Sequence, residues 1–181
     1  MFKKLERPSS SLRDQIKLNN NSINNLNREV NKSTDLINSE DIKKNNLKWS
    51  MVDNIKLSYK EPLIMNTDIS SGPGIHWIVL YPVDKVCYIF DPLGENNFRP
   101  YDKIMIEKIN DYDLKLKFYP GKIQFKNSNL CGYFSIMIAK YLKKYEPDQP
   151  FKLINELFGL KPDNNDIKQL IKHFGVLKTN D

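Results

Sequence analysis

The feature that most constrains this chain is a pair of β-branched and aromatic runs, Ile75–Tyr81 and Val86–Phe90, separated only by Pro82-Val83-Asp84-Lys85. Runs of this kind favour strands, and so short a link joins them as an antiparallel hairpin. A hairpin carries its register with it. With Tyr81 paired to Val86 across the turn, His76 lies opposite Asp91. Opposed residues point to one face with Cβ atoms ~5 Å apart, so an imidazole and a carboxylate meet with no tertiary assumption. A carboxylate on one ring nitrogen fixes the tautomer and leaves the other nitrogen as a base. The plainer alternative is an incidental polar pair at a sheet end, and a one-residue slip would part the two side chains.

A second cluster runs from Gln124 to Phe134. Cys131 stands where a polar loop gives way to Gly132-Tyr133-Phe134, the start of an amphipathic helix over 132–144. A thiol at a helix N-terminus faces unpaired N–H groups and the positive end of the dipole, which favour the thiolate. Gly132 is expected to keep the approach to sulfur open. The alternative is a small buried hydrophobe, the usual fate of a cysteine. Cys87 fits that alternative. It lies mid-strand, four residues from Asp91, hence ~13 Å away along an extended chain.

Together these residues suggest an activated-thiol enzyme. His76 takes the thiol proton, Asp91 orients the imidazolium, and Cys131 attacks a carbonyl to form an acyl-enzyme. The Cys131 backbone N–H and the Gln124 carboxamide are candidate oxyanion donors, although Gln124 also reads as an ordinary loop hydrogen bonder.

Elsewhere the pattern is that of an α+β body. A helix is expected over 101–112, a short strand over 114–119, and further helices near 151–158 and 163–173. Residues 1–56 differ: they hold eleven of the twenty-one asparagines and no tyrosine, cysteine or glycine. Phe2, Ile16, Ile23, Val30 and Ile37 share one heptad position, and Leu5, Leu12 and Leu26 the other, which predicts a helical arm over about 12–38. The expected division is an N-terminal arm, 1–56, and a body, 57–181. The arm is a candidate for self-association, docking on its own body or binding another protein.

Composition narrows the class. No apolar run approaches the ~20 residues of a membrane-spanning helix, and no membrane partner is expected. Two cysteines provide neither a disulfide framework nor a four-ligand zinc site, so no metal is expected. The net charge is +6, with 28 basic residues against 22 acidic. That permits a polyanion partner, while an AT-rich genome accounts for the lysine and asparagine bias equally well.

Gly74-Ile75-His76-Trp77, then Tyr88-Ile89-Phe90-Asp91-Pro92-Leu93-Gly94, then Gln124 seven residues before Cys131-Gly132-Tyr133-Phe134, resemble the adenovirus maturation proteases (adenains). The order His, acidic residue, Gln, Cys also marks the wider clan that includes the SUMO-specific proteases. The resemblance spans about residues 72–142. It implies a central mixed sheet flanked by helices, with Cys131 as nucleophile, His76 as base, Asp91 as orienter and Gln124 as oxyanion donor. Trp77, Gly74 and Gly132 would line the substrate cleft. It further implies cleavage of virion and capsid precursor proteins at Gly-Gly or Gly-x-Gly sites, in the virion and the host cytoplasm, with no cofactor for the chemistry. Residues 57–181 would then be the cysteine protease domain, the arm a candidate for docking on the capsid, and DNA, through the lysine-rich surface, and a viral peptide the candidate activators. Because Cys87 reads as core, a disulfide-linked activator is not expected. The Lys/Asn/Ile-rich composition fits an AT-rich DNA virus such as a Sputnik-type virophage.

Two other functions remain open on the sequence. One is a deconjugating isopeptidase for SUMO- or ubiquitin-like tails. The other is a non-enzymatic basic protein that binds DNA or capsid and carries a coiled-coil arm.

Overall fold

A computed structural model of the chain describes residues 36–94, 101–124 and 130–158. Its centre is a five-stranded sheet in sequence order: β1 (Lys48–Met51), β2 (Leu63–Asn66), β3 (Trp77–Val83), β4 (Val86–Phe90) and β5 (Lys115–Phe118). The three central strands are antiparallel, while β1 runs parallel to β2 and β5 parallel to β4. The sheet is therefore mixed, as the resemblance implies. Among the described residues four α-helices flank it: α1 (Ser39–Lys44), α2 (Asp102–Asn110), α3 (Cys131–Tyr145) and α4 (Pro150–Phe158).

Strand alternation sorts the core into two layers. Val79, Tyr81, Val83 and Phe90 point to one face and pack with α3, α4 and α1. Ile78, Leu80, Cys87 and Ile89 point to the other and pack with Met105 and Ile109 of α2. Because β2 and β3 are covered on both faces, they read as apolar runs without polar alternation.

The hairpin forms, in a different register from the one expected. Tyr81 lies opposite Tyr88, and Val83 opposite Val86, so the turn is only Asp84-Lys85. Asp84 takes the left-handed φ of 51° that so tight a turn requires. Proline in the link suggested a turn residue, yet Pro82 is part of β3, opposite Cys87. It lies past the last residue that β2 pairs, so no β2 carbonyl is left waiting for its missing N–H, and its own carbonyl accepts Lys60 N–H at 2.8 Å. The shift is by two residues, which preserves the face of every side chain.

Packing also begins earlier than the composition suggests. Ile37, Ile42 and Leu47 belong to the α3 layer, Val52 and Ile55 to the α2 layer, and β1 is a strand of the sheet. Ile42 and Val52 are completely buried, and each such side chain contributes ~1.5–3 kcal/mol. The expected boundary at residue 56 thus cuts through the core. The asparagines that weaken a long helix instead delimit a short one. Asn38 accepts Glu40 and Asp41 N–H while Asp41 accepts Asn38 N–H, a capping box, and Asn45 closes the helix seven residues later. Most of the expected arm helix, and the helix expected over 163–173, lie outside the described residues. Of that arm, Leu36–Asn38 are described and are not helical.

Candidate active site

Three segments converge at one end of the central strands. His76 immediately precedes β3, Asp91 immediately follows β4, and Cys131 is the first residue of α3. The carboxylate is held most tightly. Asp91 is 4% exposed; its Oδ1 accepts Leu93 N–H at 2.8 Å and its Oδ2 accepts the Tyr101 hydroxyl at 3.0 Å. Gly94 N–H closes the same turn on the Asp91 carbonyl, with Gly94 at a φ of 83°. The Asp-Pro-Leu-Gly sequence thus forms a turn that aims its own aspartate.

His76 Nε2 lies 2.8 Å from Asp91 Oδ1. The pairing foreseen from the hairpin is present, although it runs diagonally across the ladder, because Asp91 falls opposite Ile78 when the observed register is extended. A diagonal pair on one face is within reach of a long side chain. The His76 carbonyl accepts Thr67 N–H at 2.9 Å, which holds the residue beside the end of β2.

The other partner of His76 is Cys131. With Nε2 on Asp91, Nδ1 is the ring nitrogen left for the thiol. Burial disfavours the imidazolium, but the hydrogen bond and charge of Asp91, together with those of Cys131, raise the His76 pKa from 6.5 to about 9. Burial likewise disfavours the Cys131 thiolate. The His76 hydrogen bond and charge, and the Trp77 and Gly132 N–H groups donating to sulfur, outweigh it and lower the thiol pKa below its ordinary 9. A thiolate beside an imidazolium, steadied by a buried carboxylate, is an arrangement suited to nucleophilic attack on a carbonyl. Cys87 has none of these neighbours and is fully buried in the sheet, where desolvation pushes its thiol up to about 12.

Helix α3 is locked onto the sheet one turn after the cysteine, where the buried Ser135 Oγ–H donates to the Trp77 carbonyl at 3.1 Å. The Trp77 indole packs edge-on against Trp49 and donates to the Ile37 carbonyl at 3.1 Å. Gly132 is required by that neighbour too. A Cβ at Gly132 would come within 2.4 Å of the Ile37 Cβ, so the space above it holds Ile37 instead of serving as an open approach to sulfur. Gly74, at a φ of 89°, Trp77, Cys131 and Gly132 all line one groove of about 490 Å³. Gln124 is buried, and its N–H donates to the Pro92 carbonyl at 2.7 Å, which ties it to the Asp91 turn.

The sequence does not mark Tyr101, Ser135 or Asn66 as site residues, and it marks Ile37 only as a heptad position of the arm. Ser135 had a signal, as a polar residue one turn beyond Cys131 on the apolar face of its helix. Tyr101 and Ile37 had none, because their partners, Asp91 and Trp77, lie ten and forty residues away, and Asn66 had none because β2 shows no periodicity that marks it.

Among the described residues there is no group of three or more potential metal ligands, and no helix is long and apolar enough to cross a membrane. The family described as adenovirus endoprotease matches residues 50–177. No curated protein matches the chain. Among solved structures, the chain is similar to a deletion variant of AvrA with IP6 and CoA, at 19% identity over 92% of this chain and 76% of that one, with a TM-score of 0.40.

Proposed function

Because this chain belongs to the adenovirus endoprotease family, and is thus a viral cysteine peptidase, we propose that it cleaves virion precursor proteins during particle maturation. In this reading Cys131 is the nucleophile, His76 the base and Asp91 the residue that orients it. The observation that carries the assignment is the chain of contacts from Asp91 through His76 to the Cys131 sulfur, with the thiol pKa lowered and the histidine pKa raised. Attack on a peptide carbonyl gives a tetrahedral oxyanion, which the Cys131 N–H and the Gln124 carboxamide stabilise. His76 then protonates the leaving amine, and water hydrolyses the acyl-enzyme.

The groove supports a preference for glycine beside the scissile bond, since Trp77, Gly74 and Gly132 with its Ile37 cover stand around Cys131. Precursors with Gly-Gly or Gly-x-Gly sites are the proposed substrates, and the virion and host cytoplasm the place of action. The lysine-rich composition supports DNA as an activator. The test is incubation of the protein with candidate capsid precursors and with SUMO fusions. Cleavage confined to the precursors is expected, and Cys131→Ala should lower it by at least ~10⁴-fold with an unchanged circular dichroism spectrum. Residual turnover of the variant near the wild-type level would remove Cys131 from the mechanism.

A further inference from the structure

Asn66, the last residue of β2, is 3% exposed, yet it lines the groove that holds Cys131, Gly74 and Trp77. The two ends of its carboxamide are distinguished by their surroundings. Oδ1 accepts Asp68 N–H at 3.0 Å and Ile75 N–H at 3.1 Å, so the acceptor end is engaged by the loop that carries Gly74. Nδ2 meets no acceptor among the described residues. The nitrogen is not sealed in the core, unlike the Gln124 Oε1, so it keeps a face open to the groove and can donate to whatever enters it.

Gly74 fits the same account. A Cβ there would stand 3.0 Å from Asn66 Nδ2, so a side chain at this position would crowd the donor as well as strain the positive φ. The described residues lining the groove include no lysine, arginine, aspartate or glutamate. A neutral N–H donor flanked by glycines, in a groove with no acidic or basic side chain beside the Cys131 sulfur, suits the backbone carbonyl of an extended peptide better than it suits an ion.

We infer that Asn66 is a substrate-positioning residue whose Nδ2 donates to a main-chain carbonyl of the peptide lying beside Cys131. This rests on Cys131 being the nucleophile. The test separates the two ideas by using two electrophiles. Iodoacetamide reports the thiolate alone, while the peptide acetyl-Leu-Ala-Gly-Gly vinyl methyl ester reports the thiolate together with the groove. Asn66→Asp keeps an oxygen for the loop and removes the donor. It is expected to lower kinact/KI for the peptide about tenfold, through KI, with the iodoacetamide rate and melting temperature unchanged.

A series of peptides in which each backbone carbonyl in turn becomes CH₂ gives a second reading that needs no variant. One member should lose about the same factor on the wild type and nothing further on Asn66→Asp. Equal peptide labelling of variant and wild type overturns the inference. So does a parallel loss of iodoacetamide labelling, which would mark Asn66 as loop support only, or a series in which no carbonyl matters. Fast iodoacetamide labelling of the wild type with no peptide labelling overturns it while sparing the nucleophile. Slow iodoacetamide labelling of the wild type overturns both.

Discussion

Cys87 and Cys131 carry the same side chain, and both sit in environments that resist charge, but their thiols are driven in opposite directions. At Cys87, in the middle of β4, desolvation acts almost alone and lifts the pKa to about 12. At Cys131 the same penalty is overcome by one imidazole and two backbone N–H groups. Reactivity here is thus a property of position more than of residue type. A helix start at the end of a sheet offers donors, whereas the inside of a strand has already committed its own to the ladder.

The largest disturbance erases the comparison altogether. Deleting residues 1–56 removes Ile37 and Ile42 from the layer around Cys131, and Val52 and Ile55 from the layer around Cys87. The truncated protein is expected to lose its cooperative thermal transition. A sharp transition in the shorter protein would show that the body folds without β1.

Gln124→Ala should lower kcat by ~10²–10³, the usual effect of losing one oxyanion donor, without slowing alkylation of Cys131. Unchanged turnover would return Gln124 to an ordinary loop role.

Removing the imidazole should make Cys131 behave more like Cys87. At pH ~6 a thiol with pKa near 8.5 is only ~0.3% thiolate, so His76→Ala should slow iodoacetamide labelling of Cys131 by up to ~10²-fold, as mapped by mass spectrometry. The sign of the pH dependence follows from the two shifts. The His76 pKa is raised from 6.5, so its contribution to stability is full below about 6.5 and is lost as pH climbs through about 9. The Cys131 pKa is lowered from 9, so its contribution is present above 9 and is lost as pH falls through the folded value. Activity is expected to be bell-shaped between the lowered thiol pKa and about 9, and His76→Ala should abolish the bell. An unaltered profile would break the ion pair.

The smallest effect is expected at the other thiol. Cys87→Ala leaves a small void in the α2 layer and should cost ~1 kcal/mol in a denaturant titration, with cleavage unchanged. A loss of activity would mean that Cys87 is more than packing.

The hairpin was legible because strand-forming runs so close together have one way to pair, and a period of two kept His76 and Asp91 on one face even though the register was misjudged by two residues. Helices α2, α3 and α4 were legible from their apolar spacing. Strands β1 and β2 were not: four residues each, they show no periodicity to read, and they sit within or just beyond the asparagine-rich stretch. The capping box at Asn38 is hidden too, because the heptad pattern that ends at Ile37 reads as one longer helix and gives no sign that a new helix starts at Ser39.

By itself the sequence determined the chemistry available: an imidazole and a carboxylate brought together by a local turn, and one cysteine at a helix start against another inside a strand. Only the tertiary structure decided that the Cys131 thiol meets the His76–Asp91 pair. By strand alternation His76 and Asp91 belong to the α2 face of the sheet, while Cys131 arrives on a helix packed against the opposite face. They converge at the strand ends, where no sheet separates the two faces. The Ser135 bond to β3 and the Tyr101 bond to Asp91 hold them there, and because such contacts join residues far apart in sequence, no local pattern encodes them.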